Sequence, residues 1–356
     1  MSTRTTILIL GAGKFGTCLA QHLASLGNTV LLYCREESLA HDINHNHHNH
    51  RAYPSITLHH AIRAVTTLDH TLTAQCHIIV NAVPVQHHRE LLTQLGPLLQ
   101  HEHLYLNVSK GIDAQTGQLP SEILAAHTSL ETAQRAVILF GPSFAEEILS
   151  QQPTAVVAAS QNQDSTTRTQ QVFHAPCLRV YSSTDPLGLE VAGALKNVIA
   201  IATGAARGLG LQSNAHAALT TRGLNEILKI GLHRGANPMT FLGLGGLGDL
   251  LLTCSSEKSR NFRIGKALGE GASLEAALQV VDSVAEGVHT AKSAYKWSIS
   301  YQLDCPILTT VYQVLYENLN VREAMSALLE RPSTTELDET ALRHYYLKKA
   351  HENEQH

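Results

Sequence analysis

The chain has 356 residues, enough for two domains that each bury a hydrophobic core. Hydrophobic residues make up 44% of it and charged residues 16%, and the formal net charge is −4 with the histidines neutral. Such a composition is typical of a soluble globular protein. It argues against a protein that binds nucleic acid, because that class presents a strongly basic surface.

The cellular setting is predicted from the N-terminus and the cysteines. The first residues, MSTRTT, run directly into an apolar strand pattern, so we expect no signal peptide and no apolar run that spans a bilayer. The six cysteines are scattered and form no Cys-x-x-Cys pair. Buried, reduced thiols in a cytoplasmic protein without stable membrane insertion are therefore expected.

The stretch ILILGAGKFG at 7–16 places a β-branched apolar run directly before Gly11-x-Gly13-x-x-Gly16, and a helical pattern follows. This is the glycine order of a dinucleotide-binding turn. Gly11 permits the tight turn, Gly13 lets the backbone approach a pyrophosphate, and Gly16 lets the helix pack on the strand. The N–H groups at the helix start favour phosphate. We predict a bound nicotinamide dinucleotide.

Arg35 bears on which dinucleotide is bound. The run TVLLYC at 29–34 is the second predicted strand, and Arg35 follows it, in the window where NAD-specific proteins carry an acidic residue. A guanidinium suits a 2′-phosphate, which favours NADPH over NADH. Glu36 and Glu37 follow directly and weaken this inference, and a merely solvated arginine is the alternative.

The first half of the chain alternates between strand and helix patterns. Further strands are predicted within 76–84, 104–111, 136–147 and 154–160, with a helix at 86–99. This alternation predicts a parallel, doubly wound sheet, which binds ligands beyond the carboxyl ends of its strands. We expect one crevice to collect the residues at those ends, namely Gly11, Pro84, Lys110 and Gly141.

From Asp185 onward the pattern is helical, with Asp185 as a candidate N-cap before Pro186. Later helices are predicted at 215–234, 261–269, 273–280, 290–301 and 306–316. The predicted fold is α/β: an N-terminal Rossmann-like doubly wound sheet and a C-terminal all-helical domain. The predicted boundaries are 1–184 for the dinucleotide-binding domain, 185–345 for the helical catalytic domain and 346–356 for a polar tail.

Lys196 is the first candidate for chemistry. It lies in GLEVAGALKNVIAIATG, a helix with hardly another charge besides Glu190. Burial disfavours the ammonium form, lowers the pKa and eases proton transfer. A lysine that snorkels from the helix edge is the alternative.

A glycine-rich segment at 243–265 carries the second group of candidates. It places Asp249 at the head of an apolar helix, where it is either a functional carboxylate or a simple N-cap. Ser259, Arg260 and Asn261 form a compact set of donors suited to a phosphate, or else an exposed helix start.

The 22 histidines include HNHHNH at 45–50. No cysteine or carboxylate stands at a regular ligand spacing beside them, so we predict no physiological metal site.

Taken together, these motifs resemble those of bacterial NAD(P)-dependent sn-glycerol-3-phosphate dehydrogenases. The resemblance runs from Ile7 to about Ala324, and Lys14 stands where that family usually carries serine. The matching segments, in the family's order, are GAGKFGTCLA, NAVP, SKGI, GPSFAEE, EVAGALKNVIAIATGAARGLGLQSNAHAALTTRGLNEI, GLGGLGDLLLTCSSEKSRNFRIG and VAEGVHTA.

The resemblance implies roles for individual residues. Lys196 would transfer a proton to dihydroxyacetone phosphate during its reduction to sn-glycerol 3-phosphate, assisted by Asp249. The implied substrate contacts are Lys110, Gly141, Ser143, Lys196, Asp249, Ser259, Arg260 and Asn261. The implied cofactor contacts, besides the three glycines, are Lys14, Phe15, Arg35, Lys110, Ala145, Arg260, Val284 and Glu286. The product would supply glycerophospholipid synthesis, and a homodimer is one arrangement open to the chain.

Two other hypotheses remain open. One is another β-hydroxyacid-type NADP reductase on the same fold, such as a ketopantoate or 6-phosphogluconate enzyme, against which the Ser-Arg-Asn triplet argues. The other is a non-catalytic NADPH-binding protein, which would be free to lose Lys196 and Asp249.

Overall fold

The computed structural model describes residues 5–281 and 285–333, together with 335, 336, 342, 345–347 and 350. Val284 and most of the predicted polar tail lie outside this set. The chain divides into two compact units. The first comprises Met1–Ser109 and Pro120–Pro186, and the second comprises Lys110–Leu119 and Leu187–His356.

An eight-stranded sheet forms the centre of the first unit, in the order β10-β9-β8-β7-β6-β1-β2-β5. A separate hairpin pairs β3 with β4. The strands are β1 (Thr6–Leu10), β2 (Thr29–Tyr33), β3 (His48–Asn49), β4 (Tyr53–Thr57), β5 (Ile62–Val65), β6 (Ile78–Asn81), β7 (Leu104–Asn107), β8 (Val137–Phe140), β9 (Thr154–Ala159) and β10 (Leu178–Ser183).

Helices flank this sheet. They are α1 (Lys14–Ser25), α2 (Glu37–Asn46), α3 (His70–Thr73), α4 (His88–Leu95), α5 (Pro120–His127), α6 (Leu130–Arg135), α7 (Ala145–Leu149) and α8 (Gln163–Phe173). The central strands are buried along almost their whole length, because helices cover both faces of a doubly wound sheet. The Rossmann-like α/β fold is confirmed.

The sheet departs from the predicted parallel arrangement at one place. Strand β9 runs antiparallel to β8, with Leu139 opposite Ala158, although β9 and β10 are parallel. The connecting helix α7 has five residues, about 7.5 Å of helix, which is too short to carry the chain back along the sheet. Strand β10, strand β5 and the β3–β4 hairpin were not predicted. The predicted helix at 86–99 is an α-helix only at His88–Leu95, between two 3₁₀ turns.

Gly11, Pro84 and Gly141 follow β1, β6 and β8, which lie on a continuous run of parallel strands with β7 between β6 and β8. Their positions therefore share one edge of the sheet, as predicted. Lys110 follows the carboxyl end of β7, but the chain there already belongs to the second unit.

Among the described residues of the second unit, helices are the only regular secondary structure, and the segment Lys110–Leu119 is a loop. The helices are α9 (Pro186–Gly208), α10 (Ser213–His233), α11 (Asp249–Ser255), α12 (Arg260–Gly269), α13 (Leu274–Gln279), α14 (Glu286–Ser300), α15 (Pro306–Tyr316) and α16 (Val321–Leu329). A 3₁₀ turn at Pro238–Leu242 and a π-helical turn at Leu244–Gly248 precede α11.

Helix α9 is the core of this unit. At 23 residues it is long and apolar enough to cross a membrane, so the expectation that the chain has no such run was wrong. Its most apolar stretch is entirely buried in the protein. Helix α12 packs closely on it. A Cβ at Gly204 would lie 2.1 Å from the carbonyl oxygen of Phe262, and one at Gly265 would lie 2.0 Å from that of Ile201. Glycine thus holds the two helices at backbone contact.

The segment Lys110–Leu119 is fastened into the helical unit. Ile112 and Leu119 are fully buried in the same apolar cluster as α9. The Ser293 hydroxyl of α14 donates to the carbonyl oxygen of Asp113 at 3.1 Å. These contacts fix the position of Lys110 at the start of the segment.

Candidate active site

Lys196 lies on α9 with only 7% of its side chain exposed. Its Nζ donates to Oδ1 of Asp249 and to Oγ1 of Thr253, each at 2.6 Å. The lysine therefore does not snorkel to solvent, and its ammonium is held by two acceptors on α11.

Asp249 receives a second lysine. Lys110 Nζ donates to Oδ2 at 2.6 Å, so each carboxylate oxygen holds one lysine. The Lys110 side chain is 20% exposed and that of Asp249 only 2%. All three charged groups belong to the helical unit.

The pKa of Lys196 is lowered from its usual 10.5 to about 8. Burial is the largest cause and the positive charge of Lys110 acts in the same direction, while Asp249 opposes both. Such a pKa lets the group hold or release a proton near neutrality, as a general acid–base requires.

Asp249 is the first residue of α11, and Gly248 rather than Asp249 is the N-cap. Its carboxylate is therefore engaged by lysines instead of capping the helix. The π-helical turn before it packs tightly, since a Cβ at Gly245 would lie 1.9 Å from a methyl carbon of Leu189 on α9. This close contact places the start of α11 beside the helix that carries Lys196.

Sequence reasoning missed Thr253. It lies one helical turn after Asp249, and its hydroxyl donates to the Asp249 backbone oxygen at 2.7 Å while accepting from Lys196. The four-residue spacing on a helix was the available signal, because such residues share a face.

Ser259, Arg260 and Asn261 begin α12. The Ser259 hydroxyl is the N-cap acceptor for the N–H of Phe262 at 3.3 Å. Asn261 Oδ1 accepts from the N–H of Gly287 at 3.1 Å, which ties α12 to the start of α14. Arg260 is exposed, whereas Ser259 and Asn261 are buried. The serine and asparagine oxygens thus have local structural partners.

The glycine turn has the form that a pyrophosphate needs. Gly11 has a φ of +103°, and a Cβ at Gly16 would lie 2.0 Å from the Gly11 carbonyl oxygen. At Gly13 a Cβ would meet nothing within 4 Å, so the space before the helix is open. Helix α1 has no side-chain cap at Gly13 and no acidic residue in its first turn, which suits an anion.

The other predicted cofactor residues of the first unit lie around this turn or at the end of β2. Lys14 Nζ is 3.9 Å from Oε1 of Glu146. Phe15 packs against the sheet core, and the carbonyl oxygen of Ala145 accepts from the Cys18 thiol at 3.3 Å. Arg35 is exposed two residues past β2.

Among the predicted substrate residues, Gly141 and Ser143 belong to the first unit. The Ser143 hydroxyl donates to the carbonyl oxygen of Gly141 at 3.2 Å, in the turn after β8. Glu286 starts α14 in the second unit. All the predicted substrate and cofactor contacts stay predictions, including those of Lys110, Arg260, Glu286 and Val284.

The histidine-rich segment spans the end of α2 and the β3–β4 hairpin. His41 and His45 stack at 4.0 Å, and His50 Nδ1 lies 3.0 Å from Oδ2 of Asp42. Across the described residues, no group of three or more histidine, cysteine or acidic side chains is arranged to hold a metal ion.

Comparison with known proteins identifies the family. Residues 6–166 match the family model described as NAD-dependent glycerol-3-phosphate dehydrogenase N-terminus, and residues 185–326 match that of the C-terminus. The chain belongs to the NAD-dependent glycerol-3-phosphate dehydrogenase family. It is therefore an NAD(P)-dependent oxidoreductase.

Curated relatives and a solved structure agree with this family. Glycerol-3-phosphate dehydrogenase [NAD(P)+] from Staphylococcus saprophyticus is 41% identical, over 93% of this chain and 99% of the relative. The Staphylococcus aureus protein of the same name is 40% identical, over 93% of this chain and 100% of the relative. The crystal structure of glycerol-3-phosphate dehydrogenase from Coxiella burnetii superimposes with a TM-score of 0.87 at 34% identity, over 92% of this chain and 99% of that one.

Proposed function

We propose that this dehydrogenase reduces dihydroxyacetone phosphate to sn-glycerol 3-phosphate with NADPH, and that Lys196 gives the proton. The observation that carries the proposal is the buried Lys196 ammonium, held between Asp249 and Thr253. Its pKa of about 8 suits reversible proton transfer.

A nicotinamide cofactor, when bound, would supply the hydride. Lys196 donates a proton from Nζ to the ketone oxygen as negative charge develops there, which replaces a metal as the electrophile. Asp249 holds Lys196 and Lys110 on its two oxygens, so it fixes the direction of both side chains. Thr253 accepts a further Lys196 hydrogen, which leaves the third ammonium hydrogen to face the substrate.

Recognition of the substrate phosphate is proposed for Arg260. A guanidinium offers paired donors that match a phosphate, and the N-terminus of α12 adds a partial positive charge. Asn261 supports this arrangement by its bond to Gly287, which joins the starts of α12 and α14.

The cellular role follows from the chemistry of the product. We propose a cytoplasmic enzyme that supplies sn-glycerol 3-phosphate as the backbone of glycerophospholipids. A homodimer is the proposed assembly. Size-exclusion chromatography with light scattering tests the assembly directly.

The test of function is NADPH oxidation with dihydroxyacetone phosphate, using wild type, Lys196→Ala and Lys292→Ala. Lys292 is an exposed lysine of α14 and serves as the matched control. Loss of a general acid lowers the rate by ~10²–10⁴, so we expect that loss for Lys196→Ala and near-normal turnover for Lys292→Ala.

Three results would overturn the proposal. Faster turnover of 2-dehydropantoate than of dihydroxyacetone phosphate by the wild type would favour the other reductase class. Binding of NADPH without turnover of either substrate would favour a non-catalytic protein. A near-normal kcat for Lys196→Ala would remove Lys196 from proton transfer.

A further inference from the structure

A charged trio lies at the carboxyl end of β2. Arg35 and Glu36 follow the strand, and Arg51, from the turn of the β3–β4 hairpin, donates from Nη1 to Oε1 of Glu36. The Arg51 and Glu36 side chains are 55% and 48% exposed. The trio carries two positive charges and one negative charge.

The hairpin turn that carries Arg51 is anchored to the glycine turn. Asn49 is fully buried, and its Nδ2 donates to the carbonyl oxygen of Ala12 and to Oγ1 of Thr17, both at 2.9 Å. Its Oδ1 accepts from the N–H of Ala52 at 3.1 Å. The backbone at Arg51 therefore has a fixed position relative to the glycine turn, which is predicted to bind the pyrophosphate.

The glycine turn and the end of β2 are also tied together. The N–H of Gly11 donates to the carbonyl oxygen of Tyr33 at 3.1 Å. In a Rossmann-like fold the adenosine ribose lies beside the end of this strand, where a free carboxylate binds the 2′-hydroxyl and repels a 2′-phosphate. Glu36 provides a carboxylate near the end of this strand. That carboxylate is already paired with the Arg51 guanidinium.

We propose that Arg51 is a specificity-determining residue for the cofactor: by neutralising Glu36, it keeps this edge of the site receptive to a 2′-phosphorylated adenosine. Arg35 then meets the phosphate without competition from a bare acid next to it. The inference rests on the family's use of NAD(P) and is independent of the proposed substrate.

The test is calorimetric binding of two fragments, adenosine 2′,5′-bisphosphate and adenosine 5′-monophosphate. They differ only in the 2′-phosphate, and no turnover is needed. The proteins are wild type, Arg51→Gln, Glu36→Gln and the double variant. Arg63→Gln is the control, since Arg63 is an exposed arginine on β5, the strand next to β2.

We expect Arg51→Gln to weaken the bisphosphate by about tenfold and the monophosphate by less than about twofold, because a phosphate interaction depends on net charge. Glu36→Gln should bind the bisphosphate more tightly than wild type does. The double variant should return to within about threefold of wild type, since it lacks the Glu36 carboxylate that Arg51 neutralises and carries the same net charge as wild type. Arg63→Gln should match wild type.

Equal weakening of both fragments by Arg51→Gln would overturn the proposal, because the role would then be structural. The same loss of bisphosphate affinity with and without Glu36→Gln would overturn neutralisation as the mechanism. A wild-type protein that binds neither fragment would overturn the cofactor site and this inference together, whereas loss of dehydrogenase activity alone would leave the fragment result intact.

Discussion

At the scale of single residues, one carboxylate organises the proposed chemistry. Asp249 binds Lys196 through one oxygen and Lys110 through the other, and only 2% of its side chain is exposed. A buried charge that lost one partner would be strongly destabilising. The three groups therefore act as a unit, and single substitutions among them are not expected to be additive.

Thr253→Val tests the hydroxyl that accepts from Lys196. The hydroxyl oxygen stabilises the ammonium form, so its removal lowers the Lys196 pKa below about 8. Ketone reduction requires the protonated lysine, so in the wild type kcat falls as pH rises through about 8. In Thr253→Val that falling limb moves to lower pH.

The measurement is kcat for reduction from pH 6 to 10, with Thr309→Val as the control in α15. Oxidation of glycerol phosphate requires the neutral amine, so its rate should rise toward pH 8 and its rising limb should move in the same direction. A lower kcat with an unmoved pH profile would contradict this role for Thr253.

Arg260→Lys tests the proposed phosphate anchor. A lysine keeps the charge but cannot form the paired guanidinium–phosphate bonds, so KM for dihydroxyacetone phosphate should rise by about tenfold or more. The comparison substrate is unphosphorylated dihydroxyacetone, whose KM should change little because it has no phosphate for Arg260 to bind. If both substrates lose the same factor, Arg260 does not bind the phosphate.

Single residues also differ in whether the sequence alone could identify them as part of the site. Lys196 and Asp249 stood out because charged residues are rare in their apolar helices. Thr253 did not, since a threonine in a helix is common and becomes informative only once α9 and α11 are packed together. Arg51 and Glu36 are 15 positions apart, and only the hairpin turn brings them into contact.

At the scale of whole elements, the start of α15 is held by a residue of another helix. Glu226 of α10 is buried, and its Oε1 and Oε2 accept the N–H groups of Ile307 and Leu308 at 2.8 and 3.0 Å. It serves as an N-cap supplied from a distance. Its pKa is raised from 4.5 to about 7. Burial is the largest cause and nearby Asp304 acts in the same direction, while the two backbone hydrogen bonds oppose them.

The raised pKa makes stability depend on pH. The contribution of Glu226 is fully present below about pH 4.5 and is lost as pH rises through about 7, because the folded state holds the proton more tightly. The free energy of unfolding of wild type, relative to Glu226→Gln, should therefore fall by up to about 3 kcal/mol between pH 4.5 and 8.

Urea unfolding of wild type, Glu226→Gln and the exposed control Glu330→Gln over this pH range measures the effect. The control should show the same pH dependence as wild type. Identical slopes for Glu226→Gln and wild type would show that Glu226 does not titrate in this window.

The glycine turn can also be tested, because two of its glycines have different roles. Gly16 permits close packing, and Gly13 is predicted to permit the approach of the pyrophosphate. Gly16→Ala places a methyl 2.0 Å from the Gly11 carbonyl oxygen and should destabilise the fold. Gly13→Ala meets no protein atom within 4 Å and should fold normally. It should still bind NADPH at least about tenfold more weakly, because the backbone no longer approaches the pyrophosphate.

Thermal unfolding separates the two effects, measured with and without NADPH at about 100 times its wild-type Kd. Wild type should gain about 2.7 kcal/mol from the cofactor. Without NADPH, Gly13→Ala should unfold at the same temperature as wild type. With NADPH, it should gain clearly less stability than wild type does. Normal cofactor stabilisation of Gly13→Ala would place the pyrophosphate elsewhere.

Elements were predictable where local pattern decides them. Helix α15 lies where its pattern predicts, at Pro306–Tyr316, because proline fixes its start and the apolar period is regular. The antiparallel direction of β9 was not predictable, because the residue pattern of a strand does not show which way it runs beside its neighbour. The length of α7, which decides the direction, is known only from the fold. The two-residue strand β3 is too short to leave a pattern.

At the scale of the whole molecule, the change in sequence pattern near Asp185 is the signal that predicts a sheet-forming part of the chain followed by a helical part. The excursion of Lys110–Leu119 into the helical unit had no such signal. Its residues follow a predicted strand, and Ile112 and Leu119 read equally well as part of the sheet core. The packing of these two side chains around α9 and the hydrogen bond from Ser293 to Asp113 show that the segment belongs to the helical unit.

That excursion bears on how such an enzyme can be inherited. The chain passes from one unit to the other three times, after Ser109, Leu119 and Pro186. A single recombination at residue 186 would deliver a catalytic half with Lys196, Asp249 and Thr253 but with another protein's segment in place of Lys110–Leu119, so the contacts of this segment with α9 and Asp249 would no longer come from the same chain. An exchange that keeps Lys110–Leu119 with the helical unit therefore needs two further junctions, after Ser109 and after Leu119. We expect the two units of this dehydrogenase to be inherited together.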